Sequence, residues 1–265
     1  MAKKRIWMWF LFFWVIQMGC TEFNPVTRKE EFIVYSTDKE VRLGSNIARA
    51  IEKQYQLVVD PLVLDRVDSI AQKIFSVTDR RDIQFFVNVI KAKEEEKKEG
   101  LDINAFALPG GYIFIFDGLI DFAKNDDEIA CVIAHEVGHI VAKHGIKKLQ
   151  AIMGYTFFSL VSLGAGEPTL AQGATEAFAY ILMGYSRQDE LLADRLGVRY
   201  AKAAGYKPQA MIDFLSRLQE KSKNEPLRPK SYLRSHPYTA DRILAIKQEL
   251  GLPLTFRDVI NKANE

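Results

Sequence analysis

The sequence predicts a single α+β domain, mostly helical, with a small sheet lying over one buried helix. Three observations predict it. Apolar residues Ile129, Ile133, Val137, Ile140 and Val141 recur at helical spacing behind a capping pair, Asn125 and Glu128. Two β-rich runs come before them, Gln84 to Lys91 and Asn104 to Phe116, the second broken by a Pro-Gly-Gly turn. Finally, 265 residues, 48% of them hydrophobic, suffice for one large core, and no repeat, low-complexity stretch or linker divides them.

Composition excludes several classes at once. A chain this apolar, with 26% charged residues, is neither disordered nor fibrous. A net charge of +2 offers no basic face for nucleic acid and no polybasic membrane coat. Cys20 and Cys131 are too few for a disulfide framework.

Taken in order, the chain opens on a leader. Lys3, Lys4 and Arg5 precede an apolar run from Ile6 to Met18 that ends at Gly19-Cys20. A spanning helix needs roughly 20 apolar residues, and this run is shorter and contains Gln17. Residues 1–19 therefore read as a signal peptide of the bacterial lipoprotein type, with Cys20 lipidated and made the new N-terminus. A retained N-terminal membrane anchor is the alternative. Removing residues 1–19 leaves 33 basic against 34 acidic residues, and it removes Trp7, Trp9 and Trp14, which are all the tryptophans.

Residues 20–35 read as a polar tether, 36–250 as the domain and 251–265 as a tail. Ser36 and Thr37 cap a helix from about Asp38 to Gln54, and Pro61 opens a second that runs to about Phe75. The charge run Lys91 to Glu99, between the two β-rich segments, reads as a solvated hairpin tip. Leu149 to Leu163 is too short and polar to span a bilayer. It packs in the core or forms a flap beside a cleft, bent at Gly164, Gly166 and Pro168.

The chemistry lies on the Ile129–Val141 helix, which carries His135-Glu136-Val137-Gly138-His139, the pattern H-E-x-x-H. Spacing of i and i+4 stacks both imidazoles on one face, where they can reach a single ion. Glu136 then stands beside the open coordination position, as a base for the attacking water. Catalytic zinc usually takes three protein ligands. Glu190 and Asp194, i and i+4 on a later helix, can both point at the first helix, although spacing alone does not separate them from an ordinary exposed pair.

The chain resembles the HtpX, BepA and LoiP group of zinc metallopeptidases, relatives of the CAAX prenyl proteases, in a compact lipoprotein form. The likeness rests on N-A-F-A-L-P-G-G at Asn104 to Gly111, A-H-E-V-G-H at Ala134 to His139, Ser186-Arg187 before Glu190-x-x-Ala193-Asp194, and Ser235-His236-Pro237. It runs from about Ser36 to Leu250. It implies one zinc ion on His135, His139 and Glu190, Glu136 as general base, and Asp194 as the acceptor that fixes a ligand histidine. His144 lies about 140° round the helix from His139 and is expected to make a structural hydrogen bond rather than join the metal. His236 is either an oxyanion donor, an inhibitory fourth ligand or a helix-capping turn residue. Ile113, Phe114, Ile115 and Phe116 form a candidate sheet edge for an extended substrate.

Together these imply a zinc-dependent endopeptidase that hydrolyses misfolded or misassembled cell-envelope proteins. An envelope chaperone or scaffold whose zinc site is held inactive by His236 is the alternative from another class. The expected partners are protein or peptide substrates and a membrane reached through the lipid anchor, with no nucleic acid. Thr21, rather than Asp, after Cys20 favours an outer membrane, with the domain facing the periplasm.

Overall fold

The chain enters on a short antiparallel ladder, β1 (Thr21–Asn24) paired with β2 (Lys29–Phe32). This ladder stands where composition suggests a loose tether. The buried Asn24 amide donates to Glu31, which also pairs with Lys147, so the segment is held by polar contacts that its low apolar content conceals. The computed structural model describes residues 21–24, 29–33, 35–98, 100–152, 170–224 and 231–255. Residues 1–19, expected to be a signal peptide, Cys20 and most of Leu149 to Leu163 lie outside them.

Helix α1 (Thr37–Gln54) starts behind Ser36, whose hydroxyl makes no cap bond. Helix α2 (Pro61–Phe75) is capped by Asp60, which accepts from the Leu62 amide at 2.9 Å. Strand β3 (Phe86–Ile90) follows, then the short helix α3 (Glu94–Lys98), strand β4 (Ala105–Leu108), a turn at Pro109–Gly111 and strand β5 (Tyr112–Phe116). In this turn Gly110 has φ 75° and packs so closely on α1 that a Cβ there would lie 2.6 Å from Val41 Cα.

The sheet order is β3-β5-β4, with β3 parallel and β4 antiparallel to β5. Two readings change as a result. The charged run from Lys91 is no hairpin tip: β5 separates β3 from β4, so the run crosses the sheet and folds into α3. And Ile113 to Phe116 is no edge, since β5 is hydrogen-bonded on both sides. Strand β4 lies at an end of the sheet and among the described residues pairs with β5 alone, yet all four of its residues are buried. Phe116 N donates to Asn104 O, so the antiparallel alternation turns the N–H and C=O of Ala105 and Ala107 away from β5.

Period-two alternation assigns the faces. Val89, Ala105, Ala107, Ile113 and Ile115 pack with Val67, Ile70 and Ile74 of α2 and with helix α5 (Asp126–Val141). Ile90, Phe106, Leu108, Phe114 and Phe116 pack on the other side with Ile47 and Ile51 of α1 and with Phe178 and Ile181 of α7 (Leu170–Ile181). Helix α4 (Asp117–Phe122) links β5 to α5, and residues 144–152 form α6. The chain closes through α8 (Arg187–Ala203), α9 (Ala210–Asn224), α10 (Ser231–Ser235) and α11 (Thr239–Glu249).

Helix α5 is the axis of the domain. Every residue from Glu128 to Val141 is buried, so the apolar periodicity marks only part of its contact surface. Asn125 accepts from the Glu128 amide, while the Glu128 carboxylate reaches the Lys124 amide and forks with Arg217. On its far side α5 meets α8 backbone to backbone: a Cβ on Gly138 would lie 2.8 Å from Ala193 O, and one on Gly197 3.2 Å from His135 Cα. No helix among the described residues is long and apolar enough to cross a membrane.

Candidate metal centre

The close α5–α8 crossing brings His135 and His139 of α5 against Glu190 and Asp194 of α8. His236, in the turn after α10, closes the group from a third direction. His135, His139, Glu190 and His236 each direct one ligand atom into a cluster whose atoms lie within 4.8 Å of one another, all buried. The His135 Nε2 atom is 3.0 Å from His139 Nε2, 3.2 Å from His236 Nδ1 and 3.4 Å from Glu190 Oε2. Glu190 Oε1 is 3.2 Å from His236 Nδ1 and 3.5 Å from His139 Nε2. Four ligands about 2.0–2.1 Å from one ion at tetrahedral angles stand about 3.3–3.4 Å apart. Most of the separations in the cluster are close to that value, so the group is compact enough for one ion.

Proton bookkeeping supports the same conclusion. Asp194 Oδ1 lies 2.8 Å from His135 Nδ1 and takes its N–H. The Nε2 atom of a neutral His135 then presents a lone pair to an imidazole nitrogen, another imidazole nitrogen and a carboxylate. Acceptors facing acceptors in a buried site need a positive charge between them. Burial and Arg242 push the His135 imidazole down, yet Asp194 and Glu190 outweigh them and push it up to about 9. Glu190 is held well below the usual carboxylate range: burial opposes this, and His236 and Arg242 overcome it. The cluster could hold one metal ion, or a proton on His135 in its place.

Arg242 anchors the rear of the site and is not marked by any motif. It is fully buried and forks onto Asp194, Nε to Oδ2 and Nη2 to Oδ1 at 2.8 Å each. It also donates to the His236 carbonyl at 3.3 Å and stands 3.3 Å from Glu190 Oε2. One signal does betray it: Arg242 falls on the buried stripe of α11 with Thr239, Ala240, Ile243 and Ile246, where an apolar residue belongs. Two tyrosines frame the imidazoles, Tyr185 stacked on His139 at 4.0 Å and Tyr232 on His236 at 4.6 Å between centroids. Burial pushes the Tyr185 phenol well above its usual range, and its hydroxyl has no hydrogen-bond partner among the described residues.

Glu136 is buried beside the cluster, and among the described residues neither of its oxygens accepts a hydrogen bond of normal geometry. His236 Nε2 stands 3.3 Å from Glu136 Oε1. A single imidazole thus faces the ligand cluster through Nδ1 and the carboxylate through Nε2. The turn that carries it is tied to the start of β4: Tyr232 N donates to Ile103 O, and Ser235 Oγ donates to Asn104 Oδ1, each at 3.0 Å.

His144 is outside the cluster but not remote from it. Lys143, at φ 59°, ends α5 in a left-handed residue, so the chain doubles back and lays the His144 ring against His139. The 140° offset holds only for a continuous helix. The strands Ile113 to Phe116 lie in the middle of the sheet, and Cys20 lies outside the described residues.

Residues 62–250 match the sequence pattern of peptidase family M48. The beta-barrel assembly-enhancing protease of Escherichia coli K12 is 25% identical over 219 residues, covering 78% of this chain and 43% of that protein. The mitochondrial metalloendopeptidase OMA1 of Schizosaccharomyces pombe is 25% identical over 238 residues, covering 86% of this chain and 66% of that protein. Its counterpart in Arabidopsis thaliana is 36% identical over 107 residues, 40% of this chain and 22% of that protein. The chain thus spans under half the length of the bacterial relative. With the family pattern covering both metal-facing helices and the His236 turn, the chain belongs to peptidase family M48.

Proposed function

We propose that the chain is a zinc-dependent endopeptidase that cuts misfolded or misassembled cell-envelope proteins, with Glu136 as general base. The observation that carries the proposal is the buried cluster of His135, His139, Glu190 and His236, with the buried Glu136 carboxylate beside it. Three imidazoles and a carboxylate are a donor set suited to zinc. His135, His139 and Glu190 would hold the ion, which when bound would polarise the scissile carbonyl and make water more acidic. Glu136 would accept the proton of the attacking water and return it to the leaving amine. Asp194, clamped by Arg242, would keep the His135 Nε2 lone pair aimed into the site.

An extended substrate would add along β4, on the side where the backbone groups of Ala105 and Ala107 turn away from β5, once what buries that strand has moved aside. Backbone pairing tolerates many sequences, which suits clearance of faulty proteins. The bacterial relative's name, a protease that enhances beta-barrel assembly, supports an envelope substrate. We place the domain in the periplasm, held to the outer membrane through a lipidated Cys20.

A second reading is favoured by one contact pair. His236 faces the cluster and Glu136 at once, so the arrangement is that of a closed site. An envelope chaperone or scaffold kept inactive by His236 would look the same. Zinc analysis and casein cleavage separate the two. The protease reading expects wild-type hydrolysis that Glu136→Gln abolishes while zinc stays bound, since the base is lost and the ligands are kept. Zinc bound with no cleavage by wild type under any condition favours the scaffold. Glu190→Ala should release most of the metal, and wild-type occupancy in that variant removes Glu190 from the ligand set.

A further inference from the structure

The two α5 histidines of the cluster are oriented by unlike partners. His135 has a direct one, the Asp194 carboxylate at 2.8 Å. Among the described residues, no carboxylate meets the outer nitrogen of His139. Its Nδ1 instead meets His144 Nδ1 at 2.9 Å, and His144 Nε2 faces Asp189 Oδ1 at 3.3 Å. His139 and His144 are buried, whereas the Asp189 side chain is 37% exposed. The three groups make a file from the centre of the site to the surface.

We propose that His144 and Asp189 are positioning residues that fix the tautomer and tilt of His139 through this file. The inference rests on the metal-site reading above. Only one proton arrangement satisfies every contact. His139 Nε2 lies in the ligand cluster and must keep its lone pair to ligate, so its proton is on Nδ1. That N–H donates to His144 Nδ1, which must then be bare. His144 therefore carries its proton on Nε2 and presents it to Asp189 Oδ1. A ligand imidazole held by a carboxylate at one remove is the indirect counterpart of the usual histidine–carboxylate support.

Local geometry accounts for each member of the file. The left-handed Lys143 returns His144 to His139, as an unbroken helix would not. Asp189 is locked by the capping box at the start of α8: its Oδ2 accepts from Ser186 Oγ at 2.7 Å, and its amide donates to Ser186 Oγ at 3.2 Å. Oδ1 is left for His144. The next residue is Glu190, so one helix terminus supplies a ligand and the outer support of another. Tyr185, stacked on His139, limits how far that ring can turn.

The test is metal affinity, measured by competition with a chromogenic zinc chelator, with thermal unfolding of the metal-free protein as a control for folding. His144→Ala should weaken zinc binding about 10–100-fold. His144→Gln, whose side-chain carbonyl can accept the same N–H, should recover most of that loss. Wild-type affinity in His144→Ala, or equal losses in both variants, overturns the file while leaving the metal site standing. A wild-type protein that binds no zinc overturns the metal reading and this inference together. The zinc-loaded wild type provides a check that needs no variant. A long-range proton–nitrogen spectrum of its histidines should find His144 as the Nε2–H tautomer, and an Nδ1–H or doubly protonated His144 overturns the proposal.

Discussion

His236 makes two contacts that press in the same direction. Its Nδ1 faces the cluster where a catalytic zinc site keeps a position open, and its Nε2 stands 3.3 Å from the Glu136 oxygen that a base needs free. An oxyanion donor would have to point at the substrate carbonyl instead, and in this arrangement neither nitrogen is available. We therefore predict that His236→Ala leaves basal hydrolysis equal or raised, with self-cleavage more evident. A fall of about 10²–10³ in rate with unchanged metal content is the signature of a lost oxyanion donor and would overturn the inhibitory role. At this scale the sequence was legible wherever spacing carries the geometry. His135 and His139 share a face because i and i+4 must do so in a helix. His144 stays out of the cluster and makes a hydrogen bond, as its spacing implied, but the partner is His139 itself, because one left-handed residue, Lys143, breaks the helix on which the angle was counted. Arg242 was missed because a lone arginine on a C-terminal helix looks like solvent-facing charge until Asp194 and Glu190 are found opposite it.

The α5–α8 crossing is the element on which the site depends. Gly138 lies between His135 and His139, and the Ala193 backbone occupies the space that a Cβ would need. Gly138→Ala must push α8 outward by several tenths of an ångström, carrying Glu190 and Asp194 with it. Overpacking of this kind costs about 1–3 kcal/mol. We predict a melting temperature lower by about 2–4 °C for each kcal/mol lost, together with weaker zinc binding. Calorimetry and chelator competition check the two halves. Lower stability with unchanged zinc affinity would mean that α8 does not set the ligand geometry. The strands teach a different lesson. Both β-rich runs and the turn between β4 and β5 could be read from alternation and from Pro109-Gly110-Gly111. Their neighbours could not, because alternation reports which residues face which side and not which strand lies at the edge. That is why Ile113 to Phe116 looked like an open strand, whereas the backbone bonds put β5 between β3 and β4.

Across the whole molecule, a sheet is held between α2 and α5 on one face and α1 and α7 on the other, with the candidate site on the side where α8 and α11 complete α5. The mostly helical α+β class could be read from composition and periodicity, since both report burial. The layering could not, since α5 is buried all round and its sequence names no single neighbour. Residues 1–19 raise the remaining question for the molecule as a whole, and it has a simple optical answer. All three tryptophans, Trp7, Trp9 and Trp14, precede Cys20, while the chain holds ten tyrosines. If Cys20 is lipidated and becomes the N-terminus, the mature protein emits as tyrosine and has no indole band. Cys20→Ser should then block lipid attachment and leave the chain unprocessed or mislocalised. One acyl chain binds a membrane only marginally, whereas the several chains of a lipoprotein anchor hold it stably. The β1–β2 ladder begins one residue after Cys20, so an anchor there would hold the domain close to the lipid surface. Palmitate labelling with intact-mass measurement decides the matter. A membrane-bound protein that still contains Trp7, Trp9 and Trp14 would make the segment a retained anchor and end the lipoprotein reading.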